Sequence, residues 1–131
     1  MSNSRRSGYR NAYRAEFLRS PAWHARRDRW FTQHARTGRP LVCLACGAPA
    51  TKAGVELHHV TYAGVIHRDG KWIAAERHRD LLPLHPYCHE LLHRLIDRDT
   101  LLARGRDRRT ANLLALTRLH RKLTHPQRDA S

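Results

Sequence analysis

The sequence predicts a small α+β domain in which two short strands and a helix gather around Cys and His side chains, between basic helical flanks. Three observations predict it: cysteines and histidines concentrated mid-chain, apolar β-prone runs on either side of a polar connection, and amphipathic helical periodicity toward both ends. At 131 residues and 40% hydrophobic composition, the chain suits one domain with a modest core. It divides at composition shifts into a basic arm at 1–40, a core at 41–97 and a basic extension at 98–131.

Tyr9, Tyr13 and Phe17 recur at helical spacing and predict a helix over about 8–19. Ser20-Pro21 supplies a capping hydroxyl and a proline at the first helical position, and Gly38 with Arg39-Pro40 supplies a stop. A helix over about 21–37 follows, with Trp23, Trp30, Phe31 and His34 on or near one face and Arg26, Arg27, Arg29 and Arg36 on the rest. Val42 to Gly47 reads as a turn around two thiols. Val55 to Val60 alternates and predicts a strand ending near the His58-His59 pair. Residues 64–79 read as a polar, irregular connection apart from Trp72-Ile73. Asp80 to Leu84 predicts a second strand, paired with the first as a hairpin, with Pro83 where no ladder donor is needed. A helix from Cys88 or His89 to about Asp97 carries Leu91, Leu92, Leu95 and Ile96. A last helix over 110–123 presents Leu113, Leu116, Leu119 or His120, and Leu123 as its buried stripe.

Charge is distributed unevenly. Lys and Arg number 25 against 11 acids, a formal net charge of +14, yet the segment 41–97 is formally neutral. The flanks therefore carry the whole excess, mostly as Arg, whose planar fork donates paired hydrogen bonds to phosphate. A polyanion is the expected partner: DNA, with RNA as the alternative. A merely solvated Arg-rich surface is the competing reading. No stretch approaches the roughly 18 apolar residues of a membrane span, and MSNSRRSGYR lacks a signal peptide's apolar region, so no membrane partner and a cytoplasmic location are expected.

Two constellations carry chemistry. Cys43-x-x-Cys46 with His85-x-x-Cys88 gives two short-spaced ligand pairs, the pattern of a structural zinc site, and accounts for every cysteine in the chain. His89 and His93 lie four apart on a helix and share one face, so both imidazoles can reach one ion, and His58 can complete a set of three. Strand alternation turns the adjacent His59 the other way, where a free imidazole can take a proton from water.

The segment Leu41–His93, with C-L-A-C-G, E-L-H-H-V and D-L-L-P-L-H-P-Y-C-H, resembles the HNH endonuclease family, in its zinc-supported version of the ββα-metal (His-Me finger) nuclease fold. The stretch Y-R-A-E-F-L-R-S-P-A-W is similar to the N-terminal helices of small phage and bacterial members. The resemblance implies metal-dependent hydrolysis of DNA phosphodiesters, by nicking or double-strand cleavage, leaving 5′-phosphate and 3′-hydroxyl ends. It implies His59 as general base, His58, His89 and His93 as ligands of one divalent ion (Mg²⁺, Mn²⁺, Ni²⁺ or Zn²⁺), and Glu56 as a brace. Two positions depart from the pattern. Asp80 stands for the middle Asn that tethers the loop, and His85 for a third zinc cysteine; Asp can accept hydrogen bonds there but cannot donate them. Arg79 or Arg94 is expected to clamp phosphate, and Arg26, Arg27, Arg29, Arg106, Arg108 and Arg109 of the basic helices to grip the flanking backbone. The competing reading is a non-catalytic zinc-containing nucleic-acid-binding module, or an accessory protein of a phage DNA-packaging or toxin system with an acidic inhibitor or packaging protein as partner. A monomer and a homodimer both fit.

Overall fold

The structure, a computed structural model, describes residues 14–98 and 107–125. After a helical segment at 14–18, Ser20 caps α1 (Pro21–Arg36), accepting a hydrogen bond from the Trp23 backbone N–H at 3.2 Å, with Pro21 opening the helix. The helix predicted over 8–19 lies partly outside the described residues, Tyr9 and Tyr13 with it. The Cys43–Gly47 turn closes with a 2.8 Å bond from the Gly47 N–H to the Cys43 carbonyl, and Gly47 adopts φ 79°, which glycine accepts without a Cβ clash.

Two two-stranded antiparallel sheets follow. β1 (Glu56–His59) and β4 (Leu81–Leu84) pair with His58 opposite Leu82 and His59 opposite Leu81. Pro83 sits within β4 opposite Leu57. Between them, β2 (Val65–Arg68) and β3 (Lys71–Ala74) form a hairpin. This corrects the irregular connection expected at 64–79. Asp69 and Gly70 take φ of 53° and 73°, the left-handed pair that a two-residue turn requires, so the Asp-Gly dipeptide was the missed signal. Asp80, expected in the second strand, ends a 3₁₀ turn over His78–Asp80 just before β4.

α2 (Pro86–Arg98) starts two to three residues earlier than predicted, on Pro86, whose missing N–H costs nothing at a helix start. Asp107 caps α3 (Arg108–Thr124). The buried stripe of α3 runs through Ala111, Asn112, Ala115, Leu116 and Leu119, whereas Leu113 and Leu123 are only partly buried. The predicted stripe is thus rotated, with Ala115, Leu116 and Leu119 packing in one cluster with Cys88 and Leu92 of α2.

The buried side chains form two clusters. One joins Cys43, Ala45, Leu84, Cys88 and Leu92 to Ala115, Leu116 and Leu119. The other joins Phe17, Trp23 and Trp30 to Leu57 and Leu81. β1 runs between them, so its alternation sends His58 toward the helices and His59 into the aromatic cluster. Among the described residues no helix is long and apolar enough to cross a membrane.

Candidate functional site

Cys43, Cys46, His85 and Cys88 converge, their ligand atoms all within 4.8 Å of one another, and can hold a metal ion. Cys46 Sγ lies 3.5 Å from His85 Nδ1. Sulfur at about 2.3 Å and nitrogen at about 2.0–2.1 Å from a tetrahedral zinc would stand about 3.5 Å apart, so this edge fits that ion without adjustment. The electrostatics favour a cation as well. Burial works against the Cys43 thiolate, but N–H groups of Cys46, His85 and Ala45 outweigh it and hold that thiol below its usual range. Burial and the neighbouring Cys43 push the Cys88 thiol up to about 12. One thiolate therefore opposes the next unless positive charge sits between them.

His58, His89 and His93 form a second group able to hold a metal ion. His89 Nε2 lies 3.1 Å from His58 Nδ1 and 3.0 Å from His93 Nε2. Three ring nitrogens meeting this closely cannot all be satisfied by mutual hydrogen bonds, whereas about 3.3 Å separates two nitrogens on a tetrahedral ion. Burial, followed by the nearby His89, depresses His58 to about 2 and His93 to about 4, so both imidazoles are neutral near pH 7 and keep a lone pair for a ligand.

Neighbours orient these rings. Glu56, the expected brace, places Oε1 3.0 Å from His89 Nδ1, whose N–H donates to it and leaves Nε2 free for a cation. Asn112 plays the same part for His58, and sequence reasoning missed it. Its Nδ2 donates to the Arg108 carbonyl at 2.8 Å, which fixes Oδ1 toward His58 Nε2 at 2.5 Å; the proton must then sit on Nε2, with Nδ1 facing the other imidazoles. An Asn four residues into a helix, and 54 residues from its partner in sequence, carries no local signal.

His59 departs from expectation. Rather than a free imidazole facing water, it is 4% exposed, with Nε2 2.7 Å from Glu76 Oε2. Its ring stacks on Tyr62 at 5.0 Å and packs against Trp23 at 4.9 Å. The Glu76 carboxylate is fully buried, and its Oε1 has no hydrogen-bond partner among the described residues. Gly64 makes this pairing feasible, since a Cβ there would meet the Glu76 backbone N at 2.5 Å. With Nε2–H donating to Glu76, the lone pair of His59 is on Nδ1.

Asp80 tethers the loop, by other means than an Asn would. Its buried carboxylate accepts from Arg77 Nε and Arg109 Nε, each at 3.0 Å, and its carbonyl accepts from the Val60 N–H. Burial opposes ionisation, but the two guanidiniums outweigh it and hold the carboxyl below its usual 3.8. The pair therefore stabilises the fold fully above that value and ceases to as pH falls through the lowered one. Asp80→Asn, which presents an N–H₂ to one arginine, is expected to cost about 2 kcal/mol at pH 7, a difference that narrows below pH 4 in urea titrations.

The arginines expected on nucleic acid separate. Arg29, Arg79 and Arg94 are exposed, Arg94 pairing with Glu90 at 2.6 Å. Arg26 is instead buried, its Nε donating to the Glu76 carbonyl at 2.9 Å, so it holds the Glu76 loop rather than a surface. Arg27 donates to the Val55 carbonyl at 3.1 Å and lies over Phe31. Arg109 is held by Asp80, Arg108 is partly buried over the Tyr62 ring at 4.6 Å, and Arg106 lies outside the described residues. No family model matches the chain, nor does any curated protein or solved structure.

Proposed function

We propose that the chain is a metal-dependent endonuclease that hydrolyses DNA phosphodiester bonds, built as a zinc-supported ββα-metal domain of the HNH type. The observation that carries this reading is the convergence of three imidazoles, one from β1 and two from α2, braced by Glu56 and Asn112. Cys43, Cys46, His85 and Cys88 would hold a structural Zn²⁺ that would fasten the turn before β1 to the start of α2. His58, His89 and His93 would hold a divalent ion, which when bound would supply Lewis-acid stabilisation of developing negative charge.

The chain's own residues perform the rest. His59 takes a proton from the attacking water at Nδ1, while the Glu76 carboxylate holds its ring and stabilises the imidazolium that forms. The water oxygen bonds to phosphorus as the bond to the 3′ oxygen breaks; that oxygen leaves as a 3′-hydroxyl after taking a proton from solvent. Arg29 and Arg79, both exposed, contact flanking phosphates, a sequence-independent and salt-sensitive grip.

The test is plasmid nicking by the zinc-loaded chain with Mg²⁺, Mn²⁺, Ni²⁺ or Zn²⁺ added singly. Cutting with at least one ion and none in EDTA is expected; no cutting with any ion overturns the proposal. The burial of His59 favours one other reading, a zinc-containing module that binds nucleic acid without cutting it. Salt-sensitive DNA binding with no cleavage is its signature.

A further inference from the structure

The β2–β3 hairpin interrupts the chain between the paired strands β1 and β4, and the histidine site uses none of its residues. Its register sorts the side chains onto two faces, because residues opposite each other in an antiparallel pair project to the same side. Val65 opposite Ala74 and His67 opposite Trp72 form the inner face, where Val65, Trp72 and Ala74 pack on the cluster of Phe17, Trp23 and Trp30. His67 lies against the Trp72 ring, with centres 4.3 Å apart. The outer face is Ile66 opposite Ile73 and Arg68 opposite Lys71. Ile73 is 40% exposed, and Arg68 and Lys71 are exposed as well.

This outer face works against the free protein twice. Like charges directly opposite each other on two strands repel, and neither Arg68 nor Lys71 forms an ion pair among the described residues. Beside them, the Ile66–Ile73 pair leaves apolar surface in water. Asp69, the acid at the tip, serves the turn with φ 53°.

Charge and shape fit one kind of partner. A two-stranded ribbon can enter the major groove of duplex DNA, about 12 Å wide, where Arg and Lys reach guanine O6 and N7 and an apolar side chain packs on a thymine methyl. The root of the hairpin stands beside His59. The Val65 N–H donates to the Tyr62 carbonyl at 2.9 Å and the Ala75 N–H to the Gly64 carbonyl at 2.8 Å, while Tyr62 stacks on His59 and Glu76 binds it. Four residues of strand carry the tip about 13 Å beyond that root.

We infer that the outer face of the β2–β3 hairpin, formed by Ile66, Arg68, Lys71 and Ile73, is a DNA-reading ribbon that enters the major groove beside the His59 loop. The choice of DNA rests on the function proposed above, whereas the face itself rests on the strand register. A second copy of this chain is disfavoured as the occupant, because two such faces would bring four cations together.

The test is equilibrium binding of the full, zinc-loaded chain to a short DNA duplex over a range of salt concentrations, with no further divalent ion added. Ile73→Thr keeps a β-branched side chain at an exposed position and is expected to bind at least about fivefold more weakly with the parent's salt dependence. Arg68→Gln combined with Lys71→Gln is expected to weaken binding at least about tenfold and to flatten the log–log salt slope by about 2. Arg36→Gln combined with Arg39→Gln removes equal charge at the end of α1 and is expected to stay within about threefold of the parent. Parent-like binding by either hairpin variant, or equal losses in the two charge-matched pairs, would overturn the inference. So would an RNA duplex of the same sequence bound as tightly as the DNA, since its deep, narrow major groove does not admit a ribbon. No duplex binding by the parent overturns it too and gives the face to another class of partner. Hairpin-dependent binding by a chain that cuts with no ion leaves the inference standing and removes the nuclease reading, whereas cutting with hairpin-independent binding removes the inference alone.

Discussion

His59→Ala is expected to lower metal-dependent cleavage by about 10²–10⁴-fold, the usual contribution of a positioned general base. The substitution has a second effect that must be separated from the first. Glu76 is fully buried and His59 is its hydrogen-bond partner, so removing the imidazole strands a carboxylate and is expected to destabilise the fold by about 3–5 kcal/mol. Adding Glu76→Gln removes that stranded charge. The double variant is therefore expected to regain most of the stability and none of the cleavage, as read by thermal melting and single-turnover cutting of a short duplex. Recovery of cleavage along with stability would assign His59 a structural role only.

If the Cys43, Cys46, His85 and Cys88 cluster holds zinc as proposed, removing the ion has the largest expected effect on stability. Cys43 and Cys88 are not peripheral to the core; they pack with Leu84, Leu92, Ala115, Leu116 and Leu119. With the ion gone, the thiols must protonate or repel one another inside that cluster. Structural zinc contributes on the order of 10 kcal/mol to small domains that depend on it. Here a second, aromatic cluster persists, and we expect a loss of about 5 kcal/mol, or about 15–20 °C in melting temperature, on chelation or in Cys88→Ser. Melting curves with zinc quantified by elemental analysis check this; unchanged melting in a chain stripped of metal would contradict it.

Much of this architecture was legible in the sequence because its signals are local. The Ser20-Pro21 start of α1, the alternation that separates His58 from His59, the four-residue spacing of His89 and His93, and the paired cysteine spacings each depend on neighbours a turn or a strand apart. Glu56 was read as a brace by resemblance, and it reaches His89. What escaped depends on contacts distant in sequence. Asn112 reaches His58 across 54 residues and Glu76 reaches His59 across 17, neither within a motif. Arg26 looks like one more cation on a basic helix face, and only its place opposite the Glu76 loop shows why it is buried. The β2–β3 hairpin was different, since Asp69-Gly70 announced its turn and the charged residues around it masked the alternation.

In the proposed mechanism the three imidazoles of β1 and α2 hold the ion that cleavage requires. The most direct measurement is single-turnover cleavage of a short DNA duplex across a range of Mn²⁺ concentrations, by the parent chain and by His58→Ala, with zinc content determined for both. The parent's rate is expected to saturate with Mn²⁺ and to vanish in EDTA, while His58→Ala is expected to keep the parent's zinc content and to cut at least about 10²-fold more slowly at every Mn²⁺ concentration. Equal cleavage by the two chains, or undiminished cleavage by the parent in EDTA, would contradict it.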